Sequence, residues 1–415
     1  MAKPTILAIT SSSETHYPPL IHWPTSPRPS SASSLGPLRT IQAVLILITS
    51  FFVAALLTGW VVHSSRAEGN SALDHDTSGP QKFHVKPVPR VGGLGVVAGL
   101  VAASAVMAWL DRTMAAMAGL MLVCSLPTFV AGLVEDLTKA VSPRKRLLAS
   151  VLSAAMAFWL LDAAITRTDI PFLDPVVAWT AGSLVLTMLA VAGISNAVNI
   201  IDGFNGLASM CVVIMLAALA YVAFQVGDMQ IGLLALAGLG AVLGFFLWNF
   251  PAGLIFLGDG GAYFLGFYVA ELSILLLVRN PSVSPLFPLL VCIYPVFETL
   301  FSIYRRRVLR STPPSVPDGI HLHSLIYRRV LRWAVGDRSA KALTRRNSMT
   351  SPFLWALCMM SVVPAVLFWN STSWLAVALG GFAISYVALY WRIVRFRSPR
   401  WLRVLARHPR KLRRG

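Results

Sequence analysis

Predominantly apolar runs of about 20 residues, the length a helix needs to cross a bilayer, recur along this chain from residue 41 to residue 391. Spans are expected at residues 41–62, 91–110, 114–134, 147–161, 176–194, 207–226, 230–249, 262–278, 286–303, 353–370 and 374–391, eleven in all, the fourth being short. Only 13% of the 415 residues are charged, about half the 25% usual in a soluble domain. Strands of a β-barrel would alternate apolar and polar residues with a period of two, and these runs do not. The expected fold is an all-α, polytopic integral membrane helix bundle.

The connections sort by charge. Residues 63–90, 135–146, 195–206, 250–261 and 304–352, with the tail from 392, are read as inside. The stretch from Arg305 to Arg346 holds eleven Lys or Arg, and that tail holds ten. The loops between them are short and together hold three basic against five acidic residues. Lys/Arg excess marks the cytoplasmic side, so the C-terminus is expected inside and, with eleven spans, the N-terminus outside. The net charge of +18 would suggest nucleic acid in a soluble chain. Here it fits cytoplasmic loops, anionic lipid and anionic substrate, and no nucleic-acid partner is expected.

Residues 1–40 are Ser/Pro-rich and read as a disordered tail. The run 41–62 reads as an uncleaved anchor. The domain plan is then the tail 1–40, a membrane body 41–393 and a basic tail 394–415. Cys124, Cys211, Cys292 and Cys358 stand isolated in apolar runs and read as small core residues. No internal repeat appears, which weakens a transporter reading.

Polar stretches interrupt this apolar background, all expected on one side. Lys86 and Arg90 flank two prolines before Gly92-Gly93. The prolines stiffen the loop and the glycines permit close backbone approach; a topology anchor with a helix-packing glycine pair is the plainer reading. Glu135-Asp136 ends the third span. Adjacent acids can share Mg²⁺, or one can stay basic enough to take a proton; an exposed pair balanced by Lys139 and Arg144-Lys145-Arg146 is the alternative.

Asn196, Asn199 and Asp202 recur every three residues, so they share a helix face before Gly203-Phe204-Asn205-Gly206. Amides can read a nucleobase or bind phosphate oxygens; capping and turn chemistry is the simpler use. Asp259 lies in Leu257-Gly-Asp-Gly-Gly after Phe256. Glycines on both sides would leave room for a diphosphate, with the carboxylate taking one Mg²⁺ position; a flexible hairpin is the alternative. Glu298, within the ninth span after Pro295, should face the bundle interior or a cavity, and Glu271 in the eighth invites the same argument without a motif. Arg305-Arg306-Arg307, Asp318, His321, His323 and Arg328-Arg329 mark the longest inner loop. Residues two apart share a face only in an extended segment. Phosphate contact suits imidazolium and guanidinium here, and headgroup contact suits the arginines equally.

In order and spacing, these motifs from about Lys82 to Arg329 resemble the polyprenyl-phosphate N-acetylhexosamine-1-phosphate transferase family. The family includes phospho-MurNAc-pentapeptide translocase and the undecaprenyl-phosphate GlcNAc-1-phosphate transferases. The resemblance implies that a polyprenyl phosphate attacks the β-phosphorus of a UDP-N-acetylhexosamine, UMP leaves, and a polyprenyl-diphospho-sugar remains in the membrane. It implies Mg²⁺, with Mn²⁺ as a substitute, and allows a homodimer. It implies Asp259 as metal ligand, with Asp136 sharing the metal. Asn199, Asp202, Asn205, Lys86 and Phe256 become the nucleotide pocket, joined as substrate contacts by Arg90, Asn196, Arg305 and Arg306. His321 and His323 become diphosphate or sugar contacts, and Glu135-Asp136 the candidate base. The family's usual first acid is aspartate, and Glu135 departs from it. His321-Leu-His323-Ser, Pro295-Val-Phe-Glu298 and an eleventh span resemble the GlcNAc-type branch, which implies surface polysaccharide or O-antigen (lipopolysaccharide) assembly at the inner membrane. Peptidoglycan synthesis through phospho-MurNAc-pentapeptide transfer is the alternative. From other classes, a lipid-linked sugar flippase should carry polar groups on both sides, and a non-catalytic scaffold would tolerate a decayed acid site.

Overall fold

The computed structural model describes residues 36–68, 73–74, 88–309, 321–331 and 339–395. Fourteen α-helices are present among them: α1 (Pro37–Glu68), α2 (Gly93–Leu110), α3 (Arg112–Thr138), α4 (Pro143–Leu160), α5 (Asp174–Val177), α6 (Thr180–Ile201), α7 (Leu207–Gln225), α8 (Met229–Asn249), α9 (Gly258–Arg279), α10 (Leu286–Val291), α11 (Ile293–Tyr304), α12 (Leu322–Leu325), α13 (Ala340–Leu367) and α14 (Thr372–Val394). A two-residue antiparallel ladder, Leu73–Asp74 with Val88–Pro89, is the exception to an all-α architecture.

Nine helices among the described residues are long and apolar enough to cross a membrane: α1, α2, α3, α6, α7, α8, α9, α13 and α14. Two of the eleven expected spans are not among these nine. The fourth, α4, is 18 residues long and opens on Arg144, Lys145 and Arg146. The ninth is split at Cys292 into the six residues of α10 and the twelve of α11. Pro295 has no N–H to offer the Val291 carbonyl, so the α10 ladder cannot run on. The basic loop expected over 304–352 is also shorter, because α13 begins at Ala340 behind an N-cap in which Ser339 Oγ accepts from Ala342 N at 3.3 Å.

Helix α9 is the axis of the bundle. In its apolar window 94% of residues are buried, against 17% for α14. Helices α3 and α6 pack along it, α4 bridges those two, and α1, α2 and α8 form a layer beside them. Gly132 of α3 faces Gly260 of α9, and Gly93 faces Gly261, so closely that a Cβ at Gly132 or Gly93 would strike the α9 backbone. Small residues permit such backbone contact between membrane helices. Gly260 and Gly261, next to Asp259, are thus engaged in helix packing. All four cysteines are buried and free.

Because the chain reverses at every turn, the starts of α2, α4, α7, α9 and α13 and the ends of α3, α6, α8, α11 and α14 lie at one end of the bundle. Arg90, Asp136, Asn199, Asp202, Asp259 and the His321–His323 turn all belong to that end.

Candidate functional site

The site is built on the N-terminus of α9. The chain enters it through Gly258, whose φ is +78°. A Cβ there would run into the Arg90 carbonyl oxygen and the Asp136 carboxylate, so the position requires glycine on both counts. The first amides of a helix lack partners within it. Asp136, from the last turn of α3 and only 4% exposed, supplies two: Oδ1 accepts from Asp259 N at 2.8 Å and Oδ2 from Gly260 N at 2.9 Å. A carboxylate in that place also meets the positive end of the helix dipole. Arg90 sits beside it, Nε to Oδ1 3.9 Å. The Arg90 segment is stitched to the irregular lead into α9: Phe256 N donates to Pro89 O at 2.9 Å, Gly92 N to Phe256 O at 3.0 Å and Gly93 N to Leu257 O at 2.9 Å.

Asp259, in the first turn of α9, receives side chains from two more helices. Asn199 Nδ2 donates to Oδ1 at 2.7 Å, and Arg146 of α4 donates to Oδ2. One turn earlier on α6, Asn196 Oδ1 accepts from the hydroxyl of Tyr263 at 3.0 Å, and the Arg146 guanidinium lies 5.7 Å from the Tyr263 ring centroid. The three-residue spacing of Asn196 and Asn199 thus sets both amides against α9. Asp202 caps the C-terminal end of α6. Burial pushes its carboxyl well above the usual range, Arg90 opposes the rise, and the charges of Asp259 and Asp136 add to it. Three carboxylates are crowded here around two guanidinium groups.

The acid pair divides. Helical rotation turns Asp136 toward α9, while Glu135 Oε2 accepts from Val141 N at 2.7 Å and closes the turn into α4. Asn205, expected in a nucleotide pocket, is 4% exposed and joined to α13 instead. Its N donates to Asn347 Oδ1 at 2.8 Å, its Nδ2 donates to Pro251 O at 3.3 Å and Ser348 Oγ at 3.2 Å, and its O accepts from Ser351 Oγ at 2.6 Å. Arg305 is buried and donates to the hydroxyl of Tyr390 on α14, and Arg306 is buried beside it. Phe256 is half-buried. Lys86 and Asp318 lie outside the described residues.

His321 and His323 lie with rings parallel, centroids 5.1 Å apart and planes at 9°. His321 is the extended N-cap of α12 and His323 is in its first turn, which is how residues two apart come to share a face. The His323 ring meets Phe204 edge-on at 5.4 Å, so the His turn rests on the loop that follows Asp202.

Arg146 escaped notice in a run of three basic residues. The signal lay in register: Arg146, Ser150 and Ser153 fall four and three residues apart on one face of α4. The two serines face Thr128 of α3, with Ser150 Oγ 3.0 Å from its hydroxyl and Ser153 Oγ 3.1 Å from its amide. That face carries Arg146 inward while Arg144 and Lys145 stay exposed.

Comparison with known proteins gives a consistent picture. The profile of Glycosyl transferase family 4 matches residues 118–277, the segment holding Asp136, Arg146, Asn199, Asp202 and Asp259. A Bacillus subtilis (strain 168) protein named "Probable undecaprenyl-phosphate N-acetylglucosaminyl 1-phosphate transferase" is 29% identical over 363 residues, 86% of this chain and 92% of that one. The undecaprenyl-phosphate alpha-N-acetylglucosaminyl 1-phosphate transferase of Thermotoga maritima is 27% identical, over 69% of this chain and 81% of its own. A phospho-N-acetylmuramoyl-pentapeptide-transferase of Clostridium botulinum is 32% identical over 204 residues, 47% of this chain and 61% of its own.

Proposed function

We propose that this chain is a member of the polyprenyl-phosphate N-acetylhexosamine-1-phosphate transferase family, with UDP-N-acetylglucosamine as its donor and undecaprenyl phosphate as its acceptor. It is a multi-pass membrane enzyme that transfers a sugar 1-phosphate to a polyprenyl phosphate. The proposal adds the cytoplasmic face of a bacterial inner membrane and the first step of a surface polysaccharide of O-antigen type. The observation that carries it is Asp259 at the start of α9, braced by Asp136, Asn199 and Arg146 from three other helices.

In the proposed reaction an oxygen of the lipid phosphate attacks the β-phosphorus of the nucleotide sugar. The bond from that phosphorus to the bridging oxygen breaks, and UMP leaves with the electron pair. Two anions must approach closely, and Coulomb repulsion opposes them. Positioning and charge neutralisation are therefore the main demands, as in phosphoryl transfer generally. Arg90 and Arg146 supply fixed positive charge, and the amides of Asn196 and Asn199 supply neutral hydrogen-bonding groups. His321 and His323 are assigned to the diphosphate or sugar, and Asp202 to the nucleotide side. The attacking phosphate oxygen is already ionised near neutral pH, so no side chain need remove a proton from it. That agrees with Glu135 and Asp136 being engaged with backbone amides.

Mg²⁺ fits this donor set through Asp259. Mg²⁺ is held by one or two carboxylates together with water and substrate phosphate oxygens. Among the described residues no group of three or more His, Cys, Asp or Glu forms a closed cage. Both oxygens of Asp136 accept from backbone amides of α9, whereas those of Asp259 accept from the side chains of Asn199 and Arg146, which can turn aside without unwinding the helix, so Asp259 is the better-suited ligand. The metal, or Mn²⁺ in its place, would offset phosphate charge.

The cytoplasmic placement is supported by the basic connections at the site end. N-acetylglucosamine is supported by the names and long matches of the Bacillus and Thermotoga relatives, and the Clostridium match supports N-acetylmuramoyl-pentapeptide as second reading. The test incubates detergent-purified protein with undecaprenyl phosphate, Mg²⁺ and radiolabelled UDP-sugars. The expected result is UMP release with organic-soluble label from UDP-N-acetylglucosamine. Label from the muramoyl-pentapeptide donor alone would replace the donor, and no UMP from either would overturn the assignment.

A further inference from the structure

Glu298 has so far been given no part in the reaction. It lies on α11, is 1% exposed, and both of its oxygens are committed. Oε1 accepts from the backbone N of Leu322 at 2.8 Å, between the two histidines. The same oxygen lies 3.3 Å from His321 Nδ1, a close contact and not an aligned hydrogen bond. Oε2 accepts from the hydroxyl of Tyr386 on α14 at 2.7 Å. One carboxylate therefore ties together the end of the broken α10–α11 segment, the His turn and the last helix.

Helix α14 holds the same region at two further points. Arg305, at the end of α11, donates to the Tyr390 hydroxyl and lies 5.5 Å from that ring centroid. Arg329, just past the His turn, donates to the carbonyl of Ile393 at 3.2 Å. The Tyr386 ring is wedged against Phe297 at 5.0 Å and Phe301 at 5.6 Å. Helix α14 also packs on α10 and α13, and the part of its inner face nearest the site, Tyr386, Tyr390 and Ile393, meets this turn and the end of α11.

We infer that Glu298 is the positioning residue of the His321–His323 turn, and that α14, through Tyr386, fixes Glu298 in turn. A carboxylate beside Nδ1 sets the orientation of an imidazole and leaves Nε2 as its working nitrogen. The bond to Leu322 N sets the backbone from which both rings project. A buried carboxylate held on one side only by the turn could swing; the Tyr386 hydroxyl removes that freedom. The inference rests on the transferase reading, in which His321 and His323 meet the diphosphate or sugar.

The test is a double-mutant cycle on the full-length protein in detergent, with UDP-N-acetylglucosamine and undecaprenyl phosphate as substrates. Glu298→Gln preserves volume and an acceptor for Leu322 N but removes the charge beside His321. It is expected to lower kcat/KM for the nucleotide sugar about tenfold, the scale of losing a residue that orients a working group, with KM for the lipid unchanged. Tyr386→Phe is expected to act in the same direction and more weakly. Adding Glu298→Gln to His321→Ala should cost little more than His321→Ala alone, because groups acting through one another are not additive. Additive losses, or an equal rise in KM for both substrates, would give Glu298 a merely structural role and overturn the inference while wild-type turnover upheld the reaction. If Glu298→Gln does not fold, Tyr386→Phe with unchanged kcat/KM overturns it. Wild-type protein that releases no UMP would sink the transferase reading and this inference together.

Discussion

The two ends of the bundle treat their aspartates in different ways. At the end away from the site, Asp228, Asp174 and Asp111 have dedicated partners. Asp228, 1% exposed, accepts from Arg279 Nε at 2.7 Å, Asn280 Nδ2 at 3.0 Å and Ile231 N at 3.3 Å. Asp174 accepts from Thr168 N and Oγ1, both at 2.7 Å, and Asp111 does the same for Thr113. Those hydrogen bonds hold the Asp174 and Asp111 carboxyls below their usual range. At the site end Asp136, Asp202 and Asp259 share Arg90 and Arg146, and Asp202 is pushed up. Matched pairs lock loops between helices. Crowded acids with shared cations store electrostatic tension that a charged ligand can relieve, which is the pattern expected of a functional site.

The largest test of this contrast is Asp259→Asn. It should lower turnover about 10³-fold, comparable to losing a preorganised electrostatic contact in an active site, while the thermal midpoint in detergent stays close to wild type; UMP release and a melting curve read the two. Turnover within tenfold of wild type would remove Asp259 from the reacting centre. Asp228→Ala should reverse the pattern. It leaves Arg279 without its buried partner, at a cost of about 3 kcal/mol, so the folded fraction falls while turnover per folded molecule is kept. Asn205→Ala sharpens the boundary inside the site end. Losing its hydrogen bonds to Pro251 and Ser348 should destabilise by about 1–2 kcal/mol with KM for the nucleotide sugar unchanged; a raised KM would restore Asn205 to the pocket.

The smallest effect belongs to Asp174. Its pKa is depressed in the folded state, so its contribution is present above the unfolded carboxylate pKa and lost as pH falls through the folded one. Asp174→Asn should therefore lower the thermal midpoint slightly at pH 7, and the gap to wild type should close in acid. A gap that persists at acid pH would mean the loop is held by something other than that carboxylate.

Much of the fold was legible in the sequence because hydropathy is a local property. Nine of the apolar runs are helices of spanning length and apolarity. The exceptions are local too: three charges opening α4, and Pro295 interrupting the ninth run. The grouping of Arg90, Asp136, Asn199, Asp202, Asp259 and the histidines at one end follows from chain reversal at each turn, which run lengths alone imply. Register made Asn196 and Asn199 readable as one face. Glu135 and Asp136 were not separable, since their division depends on α9 lying on one side of α3 and the turn to α4 on another.

What the sequence determined by itself was therefore the helical membrane body, the collection of polar motifs at one end and the family that such an order of motifs implies. The tertiary structure decided which groups are partners. It turned Asp136 into the cap of α9, drew Arg146 out of a basic run to face Asp259, wired Asn205 to α13, and set Glu298 between the His turn and Tyr386. Apolarity and helical period act over one or two turns of a single helix, whereas a hydrogen bond requires two groups within about 3 Å, and it is helix packing, such as that of α3 and α4 against α9, that brings residues more than 100 positions apart to that distance.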